Sequence, residues 1–173
     1  MIKRGCMILL AVLVLAGCDD GPTAPEDPNV VVFTAQLSAA SEVPPITNAE
    51  ANARGDVRIT FNLTRDASNN ITGATADFLV NLNSFPAGAS WTLAHIHRGA
   101  TGIAGGVVVD TGLTPANAVP LPAGSISNRT FTAANPLSAQ LANEIIDNPA
   151  GFYFNVHTVL NPSGAVRGQL VKQ

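Results

Sequence analysis

From residue 30 onward, apolar and polar side chains alternate in short runs, each closed by Gly, Pro, Asn or Asp. The clearest run is Gly55 to Leu63, where Val57, Ile59, Phe61 and Leu63 fall on one side and Asp56, Arg58, Thr60 and Asn62 on the other. That period of two is what a strand with one buried and one wet face requires. The same punctuation delimits strands at Val30 to Ser38, Ile71 to Leu82, Trp91 to His97, Gly106 to Thr111, Ser125 to Thr132, Gly151 to Thr158 and Gly164 to Val171. About eight strands at this spacing predict an all-β, antiparallel sandwich or barrel. Between the second and third strands, Asp66 to Asn70 reads as a hairpin turn, because Asn69 and Asn70 tolerate positive φ.

One segment keeps a different period. Between Pro136 and Asn148, Leu137, Leu141 and Ile145 recur every four residues, and Ser138, Gln140, Asn143, Glu144 and Asp147 occupy the other side. Asn135-Pro136 reads as a cap with a first-turn proline, and Pro149 and Gly151 end the run. This is a short crossover helix closing one end of the β structure.

The N-terminus follows neither pattern. Lys3 and Arg4 precede an apolar run from Met7 to Ala16 and then Leu15-Ala16-Gly17-Cys18, the layout of an export signal over residues 1–17. An apolar run of about ten residues makes roughly 15 Å of helix, too short for a ~30 Å hydrocarbon layer. The Leu-Ala-Gly-Cys stretch resembles the lipobox of bacterial lipoproteins, which implies that Cys18 is acylated and becomes the first residue of the mature chain. Residues 18–29, with three prolines and no periodic pattern, read as the lipidated Cys and a flexible tether, leaving 30–173 as one β domain. The expected location is the cell envelope, lipid-anchored to a membrane and facing the periplasm or the exterior.

Composition narrows the picture further. Hydrophobic residues make up 46% of the chain and charged ones 12%, which favours a packed core over disorder. Cys6 is the only cysteine besides Cys18 and lies in the discarded segment, so the mature domain must stand without a disulfide. Removing residues 1–17 leaves seven basic against twelve acidic residues, a formal charge of −5. That sign repels nucleic acid and anionic headgroups, and membrane contact is left to the lipid.

Six pieces occur in order along the domain: Phe33-Thr34-Ala35-Gln36-Leu37-Ser38, Glu42-Val43-Pro44-Pro45, Ala94-His95-Ile96-His97-Arg98-Gly99, Gly106-Val107-Val108-Val109-Asp110, Phe154-Asn155-Val156-His157-Thr158, and Asn161 through Leu170. Together they resemble the CHRD domain, a module of the animal protein chordin and of many exported microbial proteins. The resemblance spans about Val32 to Leu170 and implies an immunoglobulin-like β-sandwich or barrel. It implies no reaction, and the module's presence in chordin points to extracellular interaction. The Pro- and Ala-rich loop from Leu113 to Gly124 departs from it in length.

All three histidines fall inside these pieces. His95 and His97 are two apart on one strand, so their rings share a face about 6–7 Å apart, a common way to offer nitrogen ligands to Cu or Zn. His157 on a late strand would complete a three-ligand site with an open position. Copper-zinc superoxide dismutase is a similar sandwich with a His-x-His strand, but its site uses more histidines than this chain has. In the other reading the three are neutral pins, bonded to loop backbone or to Asn155 and Asp110, that hold the Gly99–Gly106 turn against the sheet. Trp91 and Leu93 are expected on the histidine face, making it partly apolar. Glu42 reads as a loop hydrogen-bonding residue or a cation ligand, and Arg167 as bonded to Glu42 or to the strand ends, by default in a fold-fixing ion pair. Gly99 to Gly106 lacks the Lys and helix of a phosphate loop, and no nucleophile elbow or mature thiol supports hydrolysis. Three functions follow: a non-enzymatic binding or adhesion module for an extracellular protein or matrix polymer, a Cu- or Zn-binding domain using His95, His97 and His157, or a purely structural envelope lipoprotein.

Overall fold

Burying Val57, Ile59, Phe61 and Leu63 on one side of a strand fixes the direction in which the whole sheet must curl. The computed structural model describes residues 27–124 and 127–173; the segment expected to be an export signal, Cys18 and the expected tether as far as residue 26 lie outside them. The strands are β1 (Val30–Ser38), β2 (Arg54–Arg65), β3 (Ile71–Asn83), β4 (Ser90–Arg98), β5 (Val107–Asp110), β6 (Val119–Pro120), β7 (Ser127–Thr132), β8 (Leu137–Ser138), β9 (Phe152–Thr158), β10 (Val166–Gln169) and β11 (Val171–Lys172). Helix α1 (Ala139–Asp147) connects β8 to β9. Eight strands form one path in the order β5-β4-β9-β10-β1-β2-β3-β7, and β6, β8 and β11 add short pairs to β4, β3 and β1. The expected all-β antiparallel architecture with one crossover helix is present, as a single sheet rolled into a half-barrel.

The roll is closed by large side chains meeting across it. Phe78 of β3 lies 5.6 Å from Phe154 of β9, although three strands separate them along the sheet. Trp91 of β4 meets Phe131 of β7 edge to face at 5.0 Å, and on the neighbouring strands β1 and β2 Phe33 meets Phe61 in the same way at 5.0 Å. Each such side chain contributes roughly 1.5–3 kcal/mol by leaving water. The β2–β3 hairpin turns as expected, with Asn69 at φ 66° and the Asp66 carboxylate accepting from the amides of Ser68 and Asn70.

Two expectations are corrected. Helix α1 starts three residues later than the periodicity predicts, because Leu137 and Ser138 are taken up as β8, paired with Ala74 and Gly73. Ser138 rather than Asn135 is the cap, its hydroxyl accepting from Leu141 N at 3.2 Å. Trp91 does not share the histidine face. The β4–β9 register shifts between Trp91 and Leu93, so Trp91 pairs with Thr158 while Leu93 pairs with His157. One extra residue reverses the facing of what precedes it, and Trp91 turns into the core, where it is fully buried.

Candidate metal centre

On β4, Ala94 and Ile96 point into the core, so His95 and His97 must point outward; on β9, Val156 does the same for His157. Pairing Leu93 with His157, His95 with Asn155 and His97 with Tyr153 places the three imidazoles as neighbours on the outer face. Their ring centres are 5.1 Å (His95–His157), 5.6 Å (His95–His97) and 5.9 Å (His97–His157) apart. One ring nitrogen from each residue lies within 4.8 Å of the other two. Although outward-facing, all three are buried, because two loops fold back over this part of the sheet.

Those loops fix the tautomers. His97 Nδ1 is 2.9 Å from the Gly105 carbonyl and His157 Nδ1 is 3.0 Å from the Pro162 carbonyl. A carbonyl only accepts, so both Nδ1 atoms carry the proton and both Nε2 atoms present lone pairs. His157 Nε2 faces His95 Nδ1 at 3.2 Å. His97 Nε2 is buried with no hydrogen-bond partner among the described residues. His95 Nε2 points toward Asp110 Oδ1 at 3.9 Å, beyond hydrogen-bond length. Burial pushes the His157 imidazole down to about 4 against the pull of the Pro162 carbonyl. Burial likewise holds His95 and His97 below the usual range, with Asp110 and the Gly105 carbonyl opposing it. The neutral ring is the form that donates to a metal.

The geometry fits an ion at one edge and is looser at the others. Nitrogens held about 2.0–2.1 Å from a tetrahedral ion stand roughly 3.3 Å apart, close to the 3.2 Å between His95 Nδ1 and His157 Nε2. The widest separation, at most 4.8 Å, must shorten by up to roughly 1.5 Å, the scale of a ring rotation.

A second row of side chains holds this arrangement from β9 and β10. Tyr153 stacks on His97 at 4.9 Å and 11°, and its hydroxyl accepts from Gly105 N at 3.1 Å. From the other side of β9, the Arg167 guanidinium lies 3.6 Å from the centre of the same ring. Arg167 does not form the expected ion pair with Glu42. Its nitrogens donate to the carbonyls of Ile103 (3.0 Å) and Ala100 (3.3 Å) and to Gln169 (3.3 Å), and Gln169 in turn donates to the Gly99 carbonyl at 2.9 Å. The 99–106 segment is therefore a strap lashed along its length rather than a tight turn. It requires glycine where it crosses β4: a Cβ on Gly105 would lie 1.5 Å from the Arg98 carbonyl oxygen.

Glu42 is buried beside Asn155 and Gly164, and burial raises its carboxyl to about 7, with Arg167, the Val43 amide and Asn155 opposing the rise. Glu42 Oε1 and Asn155 Oδ1 are both buried without partners among the described residues. Asp110 is half-exposed and accepts from Gly112 N at 2.7 Å. The 159–164 loop is held by a residue the sequence did not single out, the fully buried Glu50, which accepts from Thr158 (2.7 Å) and Asn161 (2.6 Å). Glu50 sits among small loop residues that give no warning of it. Tyr153 was also missed, although strand parity with Asn155 and His157 places it on their face.

No curated protein and no solved structure matches this chain. A family model, the CHRD domain, matches residues 33–170, which takes in all six of the sequence pieces, the three histidines, Tyr153 and Arg167. With most of its length covered in this way, the chain belongs to the CHRD domain family.

Proposed function

We propose that this domain is a non-enzymatic binding module of the extracellular type whose ligand on the β4–β9 face is a transition-metal ion, held by His95 Nδ1, His97 Nε2 and His157 Nε2. The carrying observation is His97 Nε2, a buried lone pair with no partner among the described residues, converging with two other imidazole nitrogens. A buried unsatisfied polar atom costs about 1–3 kcal/mol, and an ion would remove that cost. Two rings already spend their second nitrogen as metal-binding histidines do, donating to carbonyls; His95 would release its Nδ1 from His157 Nε2 by moving its proton to Nε2, on the Asp110 side. Pinning the loops and binding an ion are therefore compatible roles for the same residues.

The test is elemental analysis and metal titration of full chain made without a histidine tag. One copper or zinc ion per chain, lost in His157→Ala, supports the reading; no transition metal bound at micromolar concentration overturns it.

The wider setting belongs to the same proposal: acylation at Cys18, a tether, and display in the cell envelope. The mass of the mature N-terminus tests it, and an unmodified terminus would remove the lipid. A protein or matrix partner is a second reading, favoured by Val159 and Leu160, which are 72% and 51% exposed at one loop tip. Crosslinking in intact cells that captures no recurrent partner would count against it.

A further inference from the structure

Resting on the metal-binding reading, we propose that the three-histidine site selects the cuprous ion over zinc. The basis is charge. All three donors are neutral imidazoles, and no carboxylate or thiolate is among them. Asp110, an acidic group facing the cluster, stands 3.9 Å from the outer nitrogen of His95 and is half in solvent, where water weakens its field without removing it. Glu42, a second carboxyl near this face, lies against Asn155 and Gly164 and faces Arg167, and Glu50 is taken up by Thr158 and Asn161 in the 159–164 loop. On the far side of Tyr153, Arg167 adds a full positive charge behind His97.

An ion moved from water into a buried site loses hydration energy in proportion to the square of its charge. A divalent ion therefore carries about four times the penalty of a monovalent one of similar size. Neutral ligands return none of it through charge neutralisation. Zinc offsets this elsewhere by completing four-coordination with an anionic ligand or a hydroxide. Here the chain supplies three nitrogens under two loops, and each histidine is at most 7% exposed. A cuprous ion needs no fourth ligand and brings half the charge. Imidazole suits copper as well as zinc, so ligand type does not reverse the preference.

Competition titrations decide the matter. Full chain without a histidine tag is titrated at pH 7 with Cu(I) against bicinchoninate under anaerobic reducing conditions, and separately with Zn(II) against a fluorescent chelator. The expected result is Cu(I) binding tighter than Zn(II) by roughly a thousand-fold or more. Zinc binding as tightly as Cu(I), or tighter, overturns the selectivity and leaves the metal site standing. Failure of both ions to bind at micromolar concentration overturns the metal reading itself, so the two failures are distinct. Asp110→Asn, a change at a half-exposed position, removes the nearest negative charge and should weaken zinc more than Cu(I). A variant in which Cu(I) suffers more would also overturn the proposal.

Discussion

The β2–β3–β7 half of the sheet and the β4–β9–β10 half bury the same inner face and differ in the outer one. On the first, polar side chains stay wet and bond across strands: Asn62 and Thr132 to Asp77 at 2.8 and 2.7 Å, and Asn81 to Asp56 at 2.8 Å. On the second, two loops cover the outer face, and every residue of β9 is buried. The side chains there, three imidazoles, an amide, a phenol and a guanidinium, are no less polar. What differs is the cost of leaving one unpaired, which is near zero in water and about 1–3 kcal/mol under a loop. Polar groups on the covered half are therefore either tightly bonded or waiting for a ligand.

The largest test of this contrast is Arg167→Ala against Arg58→Ala. Losing Arg167 strips donors from the Ile103 and Ala100 carbonyls and empties the space over Tyr153, and should cost about 3 kcal/mol in urea unfolding. Arg58, on the open face, should cost within about 0.5 kcal/mol. Equal losses would erase the distinction between the halves.

Metal linkage comes next. At a free ion concentration one hundred times the dissociation constant, the wild-type chain should gain about 2.7 kcal/mol of unfolding free energy and the His157→Ala variant none. An equal gain in both would place the ion elsewhere.

Smaller still is the pH response of the metal-free chain, in which two buried groups oppose each other. His157, lowered from 6.5 to about 4, contributes stability that is complete above pH 6.5 and lost as the pH falls toward 4. Glu42, raised from 4.5 to about 7, contributes stability that is complete below pH 4.5 and lost as the pH rises through 7. Glu42→Gln removes the second slope, so its stability relative to wild type should be higher at pH 8 than at pH 5 by about 1–2 kcal/mol. Urea midpoints at the two pH values check it, and no change between them would show that the Glu42 carboxyl does not titrate as its burial requires. The smallest effect is expected from Asn62→Ala on the open face, about 0.5 kcal/mol or less by the same measurement.

The open half was the legible half. Alternation assigned Val57, Ile59, Phe61 and Leu63 inward and Asp56, Arg58, Thr60 and Asn62 outward, because water on one side writes its presence into every second residue. Phe152 to Thr158 carries no such record, since its covers come from segments remote in the chain. The facing of Trp91 depended on one extra residue at Thr92, and the start of α1 on Leu137 and Ser138 being drawn into the sheet; neither event is local to the pattern it disrupts. Strand parity put His95 and His97 on one face, but the adjacency of β4 and β9 that brings in His157 is a long-range pairing no window could read.

The bond from His97 to the Gly105 carbonyl and that from His157 to the Pro162 carbonyl tie two separate loops to the same ring cluster. Loading the rings would then also hold the backbone, and amide exchange in residues 99–106 should slow when the ion is bound.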